Sequence, residues 1–173
     1  MRFLLILFTI INFSFSGVLY FGLDFHGTGQ YGNNEFQGSE SKSNAITIGY
    51  NHGMKQWDRV SVAIGGSYTL TPIKFTVNNS KVDASFLTFN TSAWYNFSNK
   101  ISGWASLGLN KPLDDLDGGN LGLTCGLGLY YTINDKVGIG LGTVKNNTKN
   151  AISGANGDYL FNRTIIYVGY RLN

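Results

Sequence analysis

The chain has 173 residues, 43% of them hydrophobic and 14% aromatic, which suits one domain and excludes a disordered polymer. Only 13% are charged, about half the share usual in a soluble globular protein, and the net charge of +3 shows no basic run or aromatic-basic interleaving, so nucleic acid is excluded as a partner. Twenty-three glycines against two prolines favour strands and turns, and the lone Cys125 excludes an internal disulfide framework.

The first element is a secretory signal. Arg2 precedes the apolar run Phe3 to Ile11, and Ser14-Phe15-Ser16 places small residues at the spacing a signal peptidase reads. Cleavage is expected after Ser16, giving a signal peptide of residues 1–16 and a mature domain of residues 17–173. The apolar run breaks at Asn12, well short of the ~20 residues of a transmembrane helix, and no later run is long enough. No cysteine stands beside the cleavage point to carry a lipid anchor. Membrane residence therefore requires a closed sheet.

Eight segments follow whose side chains alternate large apolar with small uncharged residues, the period-two signature of a strand. Val18 to His26 puts Leu19, Phe21, Leu23 and Phe25 on one parity and Tyr20, Gly22, Asp24 and His26 on the other. Ala45 to His52 sets Ile46, Ile48 and Tyr50 against Thr47, Gly49 and Asn51. The third segment, Arg59 to Leu70, is the clearest, with Val60, Val62, Ile64, Tyr68 and Leu70 opposed by Ser61, Ala63, Gly65, Ser67 and Thr69. From about Val82 to Phe97, Leu87, Phe89, Ala93, Tyr95 and Phe97 oppose Thr88, Asn90, Ser92 and Trp94. Ile101 to Asn110 sets Ile101, Ala105, Leu107 and Leu109 against Ser102, Trp104, Ser106 and Gly108. Leu121 to Thr132 alternates leucines and Cys125 with Gly122, Thr124, Gly126, Gly128 and Tyr130. Val137 to Val144 opposes Val137, Ile139 and Leu141 to Gly138, Gly140 and Gly142. The last, Tyr159 to Leu172, opposes Ile166, Val168, Tyr170 and Leu172 to Ile165, Tyr167, Gly169 and Arg171.

A soluble strand would carry Lys and Glu on its second face. Here that face is small and nearly uncharged, as a narrow barrel interior requires, and the greasy face suits lipid. The predicted fold is all-β: an eight-stranded antiparallel up-and-down transmembrane β-barrel. Connections alternate in length. Gly53–Asp58, Ser98–Lys100 and Ile133–Lys136 are short, whereas Gly27–Asn44, Thr71–Lys81, Lys111–Asn120 and Lys145–Asp158 read as long loops. Tight turns belong on the periplasmic side of such barrels, so both termini are expected there and the long loops outside. Charges lie in connections or at strand ends, apart from Asp24, Asp83, Arg163 and Arg171. Tyr50, Trp57, Tyr95, Phe97, Tyr131 and Tyr170 would form a periplasmic aromatic belt, with Phe25, Tyr68 and Tyr159 contributing to the outer one.

With those elements in place, the whole mature chain resembles the OmpA/OmpX class of small outer-membrane barrels, including the opacity-type surface proteins. The final strand, Ile165-Ile166-Tyr167-Val168-Gly169-Tyr170-Arg171-Leu172-Asn173, is similar to the assembly signal of that class, alternating apolar residues with an aromatic near the end. The class usually ends in Phe, whereas this chain ends in Leu172-Asn173. Tyr130 to Gly138 is similar to the strand-turn-strand hairpin of the class. The resemblance implies an outer-membrane location in a Gram-negative-type bacterium, membrane lipid as surroundings, and the barrel assembly machinery as a partner of the last strand.

No residue set commands a chemical role. Gly138-Ile139-Gly140-Leu141-Gly142 lacks the helix that follows a phosphate loop, and its glycines share the inward parity, so they read as interior packing, as do Gly122, Gly126 and Gly128. Asp114-Asp115-Leu116-Asp117-Gly118 lacks the further oxygen ligands of a calcium loop and reads as a solvated tip. His26 and His52 fall at opposite ends of neighbouring strands, a poor geometry for a shared metal or acid-base pair. His26 beside Asp24 is the best acid-base candidate, read as a structural hydrogen bond. Ser67 and Ser85 complete no triad with it. Asp24, Arg163 and Arg171 are expected to neutralise one another inside, since the first and last strands adjoin on closure. Asn-x-Ser/Thr triplets at Asn78, Asn90, Asn96, Asn146 and Asn162 read as chance in an Asn-rich chain.

The expectation is a monomeric, non-enzymatic barrel with no catalytic, cofactor or metal site, whose structural or surface-recognition role rests on an extracellular ligand of its loops. Two alternatives stand beside it: a lipid-modifying barrel enzyme, and a secreted soluble barrel holding an apolar ligand. The interior should be plugged by Tyr20, Tyr130, Trp94, Trp104, Tyr167 and Arg171.

Overall fold

A computed structural model describes residues 17–33, 36–74, 81–114, 120–149 and 158–172. The eight strands are β1 (Gly17–Asn33), β2 (Phe36–Trp57), β3 (Val60–Lys74), β4 (Lys81–Asn96), β5 (Ile101–Asp114), β6 (Gly122–Thr132), β7 (Val137–Lys149) and β8 (Asp158–Leu172). Each pairs antiparallel with its neighbour, and β1 pairs with β8 to close the barrel. Closure removes both sheet edges, so every ladder hydrogen bond is made within the chain.

Large apolar residues face outward and small ones inward, as the alternation predicts. Leu123 and Leu127 are each 61% exposed, and Ile64 and Ile48 are about half exposed, whereas Ala63, Thr69 and Thr124 are buried. The outward position of these leucines removes the soluble-barrel alternative, which requires them inside.

The stagger of the barrel follows from the register. Gly17 pairs with His52, and successive partners run through Ile64, Thr91, Leu107, Cys125, Lys145 and Asn162 back to Thr28. Thr28 lies eleven positions beyond Gly17 (28 − 17), and the irregularity between Asp24 and His26 takes up one of them, leaving a stagger of ten. Eight strands with that stagger tilt at about 40° to the barrel axis, within the usual range.

The turn end is compact. β2 and β3 meet across Asp58-Arg59, where Asp58 takes a φ of 21°. The β4–β5 and β6–β7 turns are built alike. Ser98 Oγ accepts from the backbone N–H groups of Lys100 and Ile101, and Asn134 Oδ1 from those of Lys136 and Val137. A short polar side chain two residues into a turn closes it in this way.

The opposite, hairpin end differs from the sequence expectation. Gly27–Asn44 is not a loop: β1 and β2 stay paired as far as Asn33 and Phe36. Likewise β3 and β4 pair out to Lys74 and Lys81, β5 continues to Asp114, and β7 and β8 pair out to Lys149 and Asp158. Glycine, serine and asparagine there suggested loops by composition, but backbone ladders tolerate any such residue when both neighbours continue the pairing. Β2 likewise continues through the expected Gly53–Asp58 turn as far as Trp57.

Candidate functional site

The lumen is built in layers. At the hairpin end, Phe86 and Phe161 are fully buried and stack with ring centroids 6.1 Å apart. Below them lies the one buried ion pair described, Arg163 Nη1 donating to Asp24 Oδ2 at 3.1 Å. The same nitrogen contacts Thr47 Oγ1 at 2.7 Å and Thr69 Oγ1 at 2.9 Å, and those hydroxyls are 2.9 Å from each other. One Nη carries only two protons, so the three acceptors share them, and the hydroxyl-hydroxyl bond completes the network. A second polar ladder joins β5, β6 and β7. Thr124 donates to Asn146 Oδ1, Thr148 to Asn110 Oδ1, and Asn110 Nδ2 to the Leu123 carbonyl.

The middle is an aromatic layer. Tyr20 packs on Tyr167, Tyr167 on Tyr130 and Trp104, and Trp94 on Trp104 and Tyr130, all with centroids between 5.8 and 6.3 Å. Inward glycines make room for these rings. A Cβ on Gly142 would lie 2.5 Å from Trp104 and 2.8 Å from the Leu127 carbonyl oxygen. The glycine-spaced run of β7 is therefore the floor on which Trp104, Tyr130 and Tyr167 lie, as its parity indicated.

Two luminal spaces flank this layer. The inner one is about 60 Å³, lies against Arg163, Thr88, Asn90 and Asn51, and is large and polar enough for water. The other, about 590 Å³, is the open mouth at the turn end, where Lys55 and Arg171 reach it. Tyr20, Trp94 and Tyr167 wall both spaces, so the aromatic layer separates them.

The sequence candidates are distributed as follows. Five of the six expected plug residues form the aromatic layer, while Arg171 is exposed at the mouth. Asp24 and Arg163 meet as expected, but Arg171 does not join them. The side chain of His26 lies outside the described residues; its backbone pairs with Thr164 after a register shift that follows Asp24. A one-residue bulge reverses alternation, and nothing in the local pattern announces it. His52 pairs with Gly17 at the turn end, where its Nδ1 lies 3.3 Å from the Tyr50 hydroxyl. Ser67 and Ser85 are buried.

Asp115 and Asp117 lie outside the described residues, as does Asn78; Asp114 ends β5. Among the described residues, no three potential metal ligands come together. Asn146 is buried in the lumen and Asn162 is exposed outside, which fits neither of them to glycan attachment in a spanning strand.

Sequence reasoning missed one feature of the outer face. On β7 and β8 the apolar band is interrupted by exposed Thr143, Lys145, Asn162 and Thr164. The composition of Lys145–Asp158 suggests a loop, but the continued alternation of inward Val144, Asn146 and Thr148 signals that β7 runs on.

No protein-family model matches the chain, and no curated protein matches it by sequence. Its structure is similar to that of Neisserial surface protein A, with 17% identity over 87% of this chain and 96% of that one and a TM-score of 0.50. It is similar to Ail, the attachment invasion locus protein of Yersinia pestis, with 13% identity over 90% and 99% of the two chains and a TM-score of 0.54. The outer membrane enzyme PagL is similar at 9% identity, over 86% and 97%, with a TM-score of 0.54. The chain thus has the fold of small eight-stranded outer-membrane barrels.

Proposed function

We propose that this protein is a monomeric outer-membrane barrel that does no chemistry and serves envelope structure or surface recognition, through an extracellular ligand bound at its hairpin end. One observation carries the reading: a girdle of exposed Leu, Ile and Val surrounds a lumen filled by aromatic rings and one ion pair. Such a surface is stable against lipid, and such an interior leaves no path for solute. Residues 1–16 act as the signal peptide and are removed, both termini face the periplasm, and β8 carries the contact with the assembly machinery. A lipid-modifying activity would call for serine, histidine and carboxylate side by side on the outer face. The candidate residues of such a trio do not stand there: Asp24, Ser67 and Ser85 are buried in the lumen.

The recognition element is the β1–β2 hairpin, whose paired strands continue beyond Thr28 to Asn33 and Phe36. A rigid body presenting variable polar ends is a common arrangement for recognition. The test replaces Gly29–Lys42 with a two-residue turn and compares intact and trimmed proteins by heat-modifiable gel migration and by binding to host cells. The expected result is a folded barrel with binding lost. Binding that survives trimming, or an esterase activity in the purified wild type, would overturn the proposal.

A further inference from the structure

The interrupted band on β7 and β8 calls for an explanation, because lipid-facing polarity is costly. Lys145 pairs with Asn162 and Thr143 pairs with Thr164, so the four residues form two stacked cross-strand pairs, all exposed on the outer face. On β6 the register sets exposed Cys125 beside Lys145 and Leu127 beside Thr143, Leu141 and Ile166 stand below, and on β1 it sets Thr28 beside Asn162 and His26 beside Thr164.

The stagger sets their depth. At a tilt of about 40°, each residue climbs roughly 2.5 Å along the axis and each step to the next strand roughly 3 Å. Measured from the exposed ring of Tyr131 and Tyr170 at the turn end, the Cα atoms of Thr143, Thr164 and Lys145 stand roughly 14 to 19 Å up a band about 25 Å tall. Leu70, Leu87 and Leu123 stand higher, at roughly 20 Å, on other strands. The Lys145 stem, about 6 Å long, carries its ammonium up to the headgroup level of the hairpin-end leaflet, beside the Asn162 amide.

At that level the patch offers only groups that can donate: three N–H from the ammonium, two from the carboxamide, and two hydroxyls just below. At that level Lys145 supplies a positive charge. A phosphate monoester, with three terminal oxygens and close to two negative charges, complements this set better than a zwitterionic diester. The geometry points to a binding site for the phosphate monoester headgroup of a membrane lipid in the outer leaflet, held by Lys145 and Asn162 with Thr143 and Thr164 beneath. The inference rests on the membrane residence proposed above.

The test uses the intact mature barrel, with phosphatidic acid as the probe and phosphatidylcholine as the reference, and counts retained lipids by native mass spectrometry. Wild type is expected to retain phosphatidic acid roughly tenfold over the reference, and K145Q to lose that preference while K136Q, altered at an exposed turn lysine, keeps it. N162A/T164V is expected to weaken retention in the same direction, which keeps the test decisive if one variant folds poorly. Equal retention by wild type and K145Q would overturn the site. Competition by millimolar glycerol phosphate as strong as that by the lipid would also overturn it, in favour of a soluble phosphate site. Failure of wild type to insert into vesicles, read by heat-modifiable migration, would instead sink the membrane reading, independently of K145Q.

Discussion

Removing Asp24 is the sharpest test of how the lumen is held together. Asp24 and Arg163 are 2% and 3% exposed, and the guanidinium reaches one carboxylate and two hydroxyls, none of which carries a compensating second negative charge. D24A leaves a buried cation with two neutral acceptors, which should cost about 3 to 5 kcal/mol, while R163M strands the carboxylate at a similar cost. The double variant D24A/R163M removes both charges and should be no worse than either single change, so the cycle should show strong positive coupling. Urea unfolding in lipid vesicles, followed by emission of Trp94 and Trp104 a layer below the pair, measures each term. A loss of under about 1 kcal/mol for D24A, or additive losses in the double variant, would show that bulk solvent already reaches the pair and refute the closed lumen.

Glycines of the two faces should respond oppositely to alanine. G142A places a Cβ 2.8 Å from the Leu127 carbonyl and against Trp104, so it should lower the urea midpoint strongly; G66A meets nothing closer than the Thr88 carbonyl at 3.3 Å and should lower it far less. In planar bilayers, pure protein should show no large, steady conducting steps, because the aromatic layer separates the two luminal spaces, and such steps would argue for a channel. The exposed Cys125 is a native reporter of the outer face: a spin label there should be more accessible to oxygen than to a water-soluble nickel complex in vesicles, and the reverse would place it in water.

Much of the fold was legible because strand alternation is a local property. Val60 to Leu70 and Leu121 to Thr132 display inside and outside through the period of two, and the inward Tyr20, Trp94, Trp104, Tyr130 and Tyr167 could be named before they were known to touch. Even the role of Gly138, Gly140 and Gly142 followed from parity, since small residues on one face leave space that something large must fill. The pairing of Asp24 with Arg163, 139 positions apart, was foreseeable only by assuming that the first and last strands adjoin.

What the tertiary structure alone decided depends on closure. The stagger of ten is set partly by the irregularity after Asp24, and no local pattern encodes a single inserted residue. Closure also decides how far each strand runs. Gly27–Asn44 and Lys145–Asp158 have loop composition, yet β1, β2, β7 and β8 extend through much of them because each finds a partner strand already in place. That extension brings Lys145 and Asn162 together on the outer face. By itself the sequence determines which residues face outward and which face the lumen, because that choice is made residue by residue; which of them meet is set by register, a property of all eight strands at once.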